Sequence, residues 1–281
     1  MNTTISFGLE LLSTPLTDEH RESLLADNWR FLELIRNRFQ TAWVEDHFQY
    51  ETAEQLEGWT YMTYLMPSFP ELQFGTLVLG QSYRNPALLA KMAATLQRLS
   101  GGRLILGIGA GWKADEYLAY GWDFPSPGRR VAELGECARI LRVMWTQTPA
   151  TFEGRYYSIK EAYCEPKPLP MIPLMIGGKG ERGTLRVVAR YADWWNCSLL
   201  SPDGFRHKLD VLKRHCAEVC RDFNEITQTV FSFVSIATEP TKVQRSERVH
   251  YIAGSPDDVT RELEQFVELG ARHFMLRFLD F

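Results

Sequence analysis

Long apolar runs are absent from this sequence of 281 residues. No stretch approaches the roughly 18 consecutive apolar residues that a membrane helix needs. Residues 1–12 lack a basic start and carry Glu10 within their apolar part, so they do not have the pattern of a secretion signal. From these absences we expect no membrane partner and a cytoplasmic location.

Cysteine is scarce and is poorly spaced for chemistry. The five cysteines form no Cys-x-x-Cys pair, and an odd number without a secretion signal argues against a disulfide framework. Cys216 and Cys220 lie one helical turn apart beside His215, but two thiols and one imidazole make a poor zinc site. No His-Glu-x-x-His or Gly-x-Ser-x-Gly motif occurs. Zinc-hydrolase and serine-hydrolase chemistry therefore lack support, and we expect no metal.

Blocks of like charge, repeats and linkers are also missing. The net charge is −4, and the 31 Lys and Arg residues are spread along the chain, which argues against nucleic acid as a partner. The densest basic stretch, residues 206–215, has the spacing of the solvent-facing side of a helix. Because no Pro-, Gly- and Ser-rich linker divides the chain, we expect one domain over residues 1–281.

What the sequence does contain is a regular alternation of short apolar strands and amphipathic helices. Apolar residues make up 45% of the chain, which is enough for a sizeable core. Asn85-Pro86 has the pattern of a helix start and Gly101-Gly102 that of a helix end, and Ser255-Pro256 and Gly270 bound a second helix in the same way. The pattern predicts strands over residues 6–10, 41–45, 73–78, 104–108, 174–176, 194–197, 229–236 and 273–278.

Eight strands that alternate with helices predict a parallel sheet with right-handed crossovers. Without a linker between two halves, we expect this α/β protein to be a closed (β/α)8 TIM barrel. Residues 146–173 are too long for a simple connection. We expect them to form an insertion over the barrel mouth that helps to shape the substrate pocket.

In such a barrel the active site lies on the loops that follow the strands. Glu45-Asp46-His47-Phe48 follows the second predicted strand and places an acid and an imidazole at the mouth. Histidine titrates near neutral pH and can move protons. The alternative is a surface histidine beside acids, and the residues alone leave that open.

Glycines mark the ends of two further strands. Leu79-Gly80-Gln81-Ser82-Tyr83 opens from an apolar run into polar side chains. Gly107, Gly109 and Gly111 alternate in the next segment, which leaves backbone that a ligand can approach closely. Close packing at a barrel corner would need the same glycines.

The turn Gly177-Gly178-Lys179-Gly180 follows a predicted strand and precedes a helix. Free backbone N–H groups and the positive end of the helix dipole make such a turn a phosphate site. A dinucleotide fingerprint lacks its ribose-binding acid here, because the next strand ends in Asn196-Cys197-Ser198, and a P-loop would need Ser or Thr after Lys179. A sugar phosphate handled by an isomerase or lyase, or a purely structural turn, remains open.

Taken together, these segments resemble the luciferase-like family of flavin and deazaflavin oxidoreductases. The resemblance runs from Ile5 to about Phe278, and its most specific pieces are residues 43–48, 75–78, 84–91, 100–112 and 175–178. It implies a (β/α)8 barrel that uses FMN or the deazaflavin F420, with F420 slightly favoured. The implied function is hydride transfer to or from F420 on an organic substrate. An FMN-dependent monooxygenase and a non-catalytic flavin-binding protein are the alternatives.

The resemblance also implies roles for individual residues. Asp46 would bind the cofactor ring, and His47 would be the proton donor or ring partner. Leu77-Val78 matches a position where the family often has a non-proline cis peptide. The implied cofactor-binding residues are Asp46, Thr76, Leu77, Val78, Gly109, Ala110, Gly177, Gly178, Lys179 and Gly180.

One departure from the family bears on the substrate. Where the sugar-phosphate dehydrogenases of the family carry a glutamate after the glycine-rich strand, this chain has Trp112. This weakens an assignment to glucose phosphate and suggests an apolar or aromatic pocket, for which Trp43, Tyr83 and Trp112 are the candidates. The resemblance further suggests a small-molecule substrate, a homodimer and, if the cofactor diffuses, a flavin or F420 reductase as partner.

Overall fold

The computed structural model describes residues 4–15, 22–50 and 53–279. All eight predicted strands are present, and their ends differ from the predicted ones by at most two residues. Ser6–Glu10 and His273–Phe278 have the predicted bounds. The barrel strands are β1 (Ser6–Glu10), β2 (Thr41–Val44), β3 (Gln73–Thr76), β5 (Leu104–Gly109), β8 (Leu174–Gly177), β9 (Trp194–Ser198), β10 (Thr227–Ile236) and β12 (His273–Phe278).

Parallel pairing closes these eight strands into a ring. The order runs β12, β1, β2, β3, β5, β8, β9 and β10, and β10 pairs with both β9 and β12. Two short strands extend the sheet at the barrel mouth: β4 (Leu79–Gly80) pairs with β5, and β11 (Ile252–Gly254) pairs with β10. The prediction of a (β/α)8 barrel is confirmed.

Helices surround the barrel and begin where local chemistry predicts. The Asn85 side chain accepts hydrogen bonds from the backbone N of Ala87 and Leu88, and Ser255 forms a capping box with Asp258. The helices are α1 (Leu24–Ile35), α2 (Gly58–Leu65), α3 (Pro86–Leu99), α4 (Ala114–Ala119), α5 (Pro127–Thr146), α6 (Thr184–Tyr191), α7 (Pro202–Glu218) and α8 (Pro256–Leu269). None of the helices in residues 4–15, 22–50 and 53–279 combines the length and the hydropathy of a membrane span.

The barrel separates two hydrophobic clusters. The larger one packs the outer face of the strands against the helices. The smaller one contains Trp43, Ile105, Met175 and Met275 and lies inside the barrel. Successive side chains of a strand point to opposite faces, so β2, β5, β8 and β12 contribute buried residues to both clusters. The interior cluster fills the barrel from below and leaves its carboxyl end open for a site.

The expected insertion is present between α5 and β8 as a hairpin of β6 (Ala150–Glu153) and β7 (Ser158–Ala162). Its turn is held by the Glu136 carboxylate of α5, which accepts from three successive backbone N–H groups at 2.8–2.9 Å. Tyr157 donates a hydrogen bond of 2.9 Å to Gln81 at the barrel mouth. The hairpin thus packs beside the mouth against α5 and contributes no residue to the wall of the central cavity. The expectation that it shapes the pocket is wrong, because its contacts turn it toward the helix.

Candidate active site

A cavity of about 490 Å³ opens at the carboxyl ends of the barrel strands. This is the end where barrel enzymes carry their active sites, and the volume is within the usual range of small-molecule sites. Ten of the predicted site residues line it: Asp46, His47, Leu77, Val78, Tyr83, Gly109, Ala110, Trp112, Gly177 and Gly178.

The Val78 side chain packs against the backbone of Gly107, Gly109 and Gly177. The Leu77–Val78 peptide is cis, as the family resemblance implied. A Cβ atom on Gly109 would lie 2.7 Å from Val78 Cγ2, and one on Gly177 would lie 2.9 Å from Val78 Cγ1. A Cβ atom on Gly107 would lie 2.0 Å from the carbonyl oxygen of Thr76. The alternating glycines of β5 are therefore required by close packing against this turn, and Val78 faces the cavity as a small apolar platform.

Thr76 supports this turn from below. It is fully buried, and its hydroxyl donates to the carbonyl oxygen of Gly107 at 2.8 Å and accepts from Gly107 N at 2.9 Å. The structure therefore does not bring the Thr76 side chain to the cavity wall. Its contact with a ligand would be indirect, through the position of Leu77 and Val78.

The glycine turn after β8 forms the opposite end of the cavity. Gly178 has a φ of 127°, a conformation that favours glycine. Thr184, the first residue of α6, lines the cavity next to it. The residue before α6 is Gly183, which offers no side-chain cap, but the N–H groups of Leu185, Arg186 and Val187 already donate to the carbonyl oxygens of Gly180 and Gly183, and Gly178 N donates to the Asn196 carbonyl oxygen at 3.1 Å. What the turn offers a ligand is therefore open space at its glycines. Lys179 and Gly180 are not part of the wall, and Lys179 Nζ donates instead to the Ser198 carbonyl oxygen at 3.3 Å.

His47 is held in the wall by a buried acid that the sequence interpretation missed. Its Nδ1 lies 3.1 Å from Glu116 Oε2, and its ring makes an edge contact with Trp112 at 5.5 Å between centroids. Glu116 is fully buried, and it also accepts from Phe48 N at 2.9 Å and from the Tyr83 hydroxyl at 3.0 Å. Because Nδ1 faces a carboxylate, it is the nitrogen that carries the proton of the neutral ring, which leaves Nε2 for a ligand.

Asp46 reaches the cavity wall, but protein donors hold its oxygens. Both oxygens accept from the Arg84 guanidinium at 2.9 Å, and Oδ2 also accepts from Gly80 N at 3.0 Å. Burial raises the pKa of Asp46, and the Arg84 guanidinium opposes that rise. Arg84 also contacts Glu57, the residue that caps α2. The pair thus fixes the loop after β4, a role that neither residue's sequence neighbourhood indicated.

Three charged side chains at the bottom of the cavity were also missed. Glu10 ends β1, Glu45 follows β2 and Arg277 lies in β12. Arg277 Nη1 lies 3.6 Å from Glu10 Oε2 and 3.8 Å from Glu45 Oε2. We call these three residues the floor cluster. The pKa of Glu10 is raised to about 8. Burial is the main cause of the rise, the Arg277 guanidinium opposes it, and the Glu45 carboxylate adds to it.

The structure does not bring Trp43 to the cavity. Trp43 is fully buried in the interior cluster, and its indole N–H donates to Thr41 Oγ1 at 2.6 Å. Side chains that face the barrel interior recur every second residue, so Trp43 lies one layer below Glu45, which does line the cavity. The prediction of Trp43 as a pocket residue is therefore wrong, because a strand position sets the depth of its side chain as well as its direction.

Curated proteins that resemble this chain in sequence include dehydrogenases and a monooxygenase. An F420-dependent glucose-6-phosphate dehydrogenase of Kineococcus radiotolerans is 32% identical over 162 residues, which cover 56% of this chain and 48% of the relative. A pyrimidine monooxygenase of Stutzerimonas stutzeri is 30% identical over 178 residues, covering 62% and 48%. The chain spans about half the length of these curated relatives.

Solved structures and a family model extend the comparison. An F420-dependent secondary alcohol dehydrogenase in complex with an F420-acetone adduct superposes with a TM-score of 0.84 over 98% of this chain and 93% of that chain, at 20% identity. That likeness shows a shared fold. The model of the family described as luciferase-like monooxygenase matches residues 36–269. The chain belongs to the luciferase-like monooxygenase family.

Proposed function

We propose that this protein is an oxidoreductase that transfers a hydride to or from coenzyme F420 on a small organic substrate bound in the central cavity. The observation that carries the proposal is the arrangement of three parts around one cavity: the Val78 platform, the glycine turn at Gly177-Gly178 and the His47–Glu116 pair. Several relatives are F420-dependent glucose-6-phosphate dehydrogenases, which supports F420 over FMN.

The residues present fit a flavin-like cofactor. Val78 offers an apolar surface for a flat ring. Any side chain larger than glycine at position 109 or 177 would collide with the Val78 side chain. Gly177 and Gly178, which carry no side chain, leave room for the phosphate beside Thr184 at the start of α6. F420, when bound, supplies a carrier for a hydride. Of the other implied contacts, those of Asp46, Ala110, Lys179 and Gly180 with the cofactor stay predictions.

The side chains around this surface have separate tasks. His47 is the proton donor when both of its ring nitrogens carry a proton, or the partner of the cofactor ring when Nε2 accepts, and Glu116 orients it through Nδ1. Trp112, Tyr50 and Tyr83 line the same cavity and would exclude water from the reacting atoms. Trp112 stands where the sugar-phosphate dehydrogenases of the family carry a glutamate, so we propose a substrate other than glucose phosphate.

The FMN-dependent monooxygenase is the second candidate. The relative named pyrimidine monooxygenase supports it. The two chemistries differ, because reduced FMN reacts with oxygen whereas F420 passes a hydride.

The test is a titration of purified protein with F420 and, separately, with FMN, followed by the visible spectrum. We expect saturable binding of F420 that is tighter than that of FMN. Tighter FMN binding would favour the monooxygenase, and a colourless protein with no affinity for either would favour an isomerase or lyase that uses the glycine turn for a sugar phosphate. A bound cofactor that no hydride donor reduces would indicate a non-catalytic flavin-binding protein.

His47→Ala separates catalysis from binding. Since Nε2 is the nitrogen left for a ligand, we expect the variant to slow turnover by about 100-fold and to weaken cofactor binding far less. The measurements are the rate of cofactor reduction or oxidation and the Kd from the titration. An equal loss in both would count against a catalytic His47.

We also propose a homodimer. A groove of about 440 Å³ between α2 and α3 is lined by Met66, Met92 and Leu96, and Leu99 at its edge is 79% exposed. Exposed apolar patches of this kind often mark a protein interface, and light scattering would give the oligomeric state. A reductase partner, one domain over residues 1–281 and a cytoplasmic location stay predictions alongside it.

A further inference from the structure

The floor cluster of Glu10, Glu45 and Arg277 faces the same cavity and has no role in holding the Val78 platform or the glycine turn. β1 and β12 are neighbours with Leu9 opposite Leu276, so the next residue of each strand, Glu10 and Arg277, come together at the mouth. All three residues line the cavity wall. The cluster is therefore positioned to touch whatever the cavity binds.

One oxygen of this cluster lacks a hydrogen bond within the part of the chain that the structure describes. The Ser13 hydroxyl donates to Glu45 Oε1 at 2.7 Å, which holds Glu45 in place. Glu10 is only 5% exposed, and its Oε2 has no hydrogen-bond partner among the described residues. Arg277 lies 3.6 Å away, beyond hydrogen-bond distance. A buried, unsatisfied polar atom is costly, and a ligand in the cavity could satisfy it.

The charges of the cluster do not balance if both acids are ionised. Two carboxylates and one guanidinium leave a net negative charge on side chains that are at most 16% exposed, which is unfavourable. Burial accordingly raises the pKa of Glu10 to about 8, so Glu10 carries its proton at neutral pH. A protonated Glu10 is a donor, and so is Arg277. The two donors converge on one side of the cavity.

We propose that Glu10 and Arg277 form the binding site for an oxygen of the substrate, and that Glu10 is the group that exchanges a proton with that oxygen. The substrate class is a small carbonyl compound or the corresponding alcohol. Phe231 and Phe233 line the cavity beside the cluster, and they suit an apolar or aromatic remainder of that molecule. This inference rests on the proposed function, and it makes His47 the partner of the cofactor ring.

The step balances in both directions. In reduction, the carbonyl carbon receives a hydride, which carries two electrons, from the reduced cofactor, and the carbonyl oxygen receives a proton from Glu10. The products are the alcohol, the oxidised cofactor and the Glu10 carboxylate, whose charge Arg277 stabilises. A proton from water then restores Glu10. In oxidation, the Glu10 carboxylate accepts the hydroxyl proton while the hydride leaves the carbon.

The protonation of Glu10 can be measured without cofactor or substrate. Infrared difference spectra of the protein between about pH 6 and about pH 9 should contain a carboxylic-acid band that disappears near pH 8. The band should be missing in Glu10→Gln. Glu133→Gln is the matched control, because Glu133 is equally buried but is paired with Arg129 outside the cavity. Spectra that are alike in wild type and Glu10→Gln would overturn the proposal.

The binding role can be measured with benzoate, whose oxygens are acceptors and whose ring suits the aromatic wall. If only the protonated form of Glu10 binds it, the affinity should fall about tenfold from about pH 7 to about pH 9. It should not depend on pH in Glu10→Gln, and Arg277→Gln should bind benzoate at least about tenfold more weakly. No binding to wild type, or the same pH dependence in Glu10→Gln, would contradict the site. Because neither measurement uses F420 or FMN, failure here is distinct from failure of the cofactor titration.

Discussion

At the scale of single residues, several buried side chains hold the neighbouring side chains and loops of the site in position. Glu116 is fully buried and binds His47, the backbone after it and Tyr83. Asp46 and Arg84 do the same for the loop after β4. Groups of this kind do not react themselves, but they set the orientation of those that do. Substitution of such a residue is expected to lower the reaction rate more than it lowers the stability of the fold.

Glu116→Gln tests this orientation. The amide can present either its oxygen or its NH₂ to Nδ1, so the His47 ring should lose its fixed tautomer. We expect ¹⁵N NMR of the ring to change from one dominant tautomer to a mixture and the rate of cofactor reduction to fall by about tenfold or more. Glu136→Gln, which removes a carboxylate that binds the backbone of the insertion hairpin, is the control. An unchanged His47 spectrum in Glu116→Gln would show that the ring is positioned by other contacts.

Glu10 makes the stability of the protein depend on pH. Its pKa is raised from 4.5 to about 8 in the folded chain, so the folded state retains a proton that the unfolded state releases between these values. The free energy of unfolding therefore contains a contribution that is fully present below pH 4.5 and is lost as the pH rises toward 8. Relative to wild type, Glu10→Gln should gain up to about 5 kcal/mol across this window.

Urea unfolding of both proteins at a series of pH values would measure the difference. Parallel stability curves for wild type and Glu10→Gln would contradict a raised pKa. Because unfolding requires neither cofactor nor substrate, this result is independent of the reaction.

At the scale of elements, the caps and turns follow from local chemistry. Asn85 and Ser255 begin helices with the predicted side-chain hydrogen bonds, and α8 ends at Gly270 with a φ of 114°. The turn after β8 differs, because Gly178 adopts a positive φ where the chain faces the cavity. The positive φ of Gly178 and its missing side chain both leave the cavity side of this turn open to a ligand.

Gly178→Ala tests the phosphate turn. A Cβ atom there would lie 3.0 Å from Thr184 Cγ2 and would stand in the cavity wall. We expect cofactor affinity to fall by about tenfold or more, together with a loss of stability of about 1 kcal/mol. Gly101→Ala is the matched control, since Gly101 also has a positive φ, 67°, but no atom lies within 4 Å of its added Cβ. Equal Kd values in both variants would remove the turn from the cofactor site.

At the scale of the whole molecule, a buried histidine links the last strand to the first two where the barrel closes. His273 of β12 contacts Ser6 of β1 through Nδ1 at 2.7 Å, and its Nε2 lies 3.0 Å from Thr41 Oγ1 of β2 and 3.3 Å from Trp43 Nε1. Since Trp43 Nε1 can only donate, Nε2 of His273 accepts and the ring is neutral. Burial lowers the pKa of His273 to about 3.

This histidine should make the closed barrel sensitive to acid. The unfolded state binds a proton below pH 6.5, whereas the folded state does so only near pH 3, so stability is present above pH 6.5 and is lost as the pH falls through this window. In His273→Gln we expect the loss of unfolding free energy in acid that is due to His273, up to about 5 kcal/mol, to vanish. We also expect the variant to be less stable by about 1–3 kcal/mol at neutral pH, because hydrogen bonds of the ring are lost. Unfolding monitored by circular dichroism from about pH 7 to about pH 3 would measure it. Equal acid sensitivity of the two proteins would assign the effect to other groups.

The candidate site shows how far sequence patterns extend. His47, Gly177 and Gly178 could be predicted, because each follows a strand in a recognisable local motif. Glu116 could have been suspected only from its place in α4, the helix that follows the glycine-rich strand. Arg84 lies in one of the segments that carry the family resemblance, but nothing in the sequence indicated its pairing with Asp46. Glu10 and Arg277 had no signal, because each gains its role from a partner on another strand.

The sequence by itself determined the alternation of strands and helices, their caps and the positions of the glycines, because these depend on hydrogen bonds and steric contacts between near neighbours. It also placed His47 and the glycine turn at strand ends, and hence at one end of the barrel. Only the tertiary structure decided depth and partnership: Trp43 lies below the cavity, Glu45 one layer higher lines it, and Glu10 meets Arg277 across the seam where the barrel closes. The physical reason is that burial, charge balance and pKa are set by groups that are distant in the chain and adjacent in space.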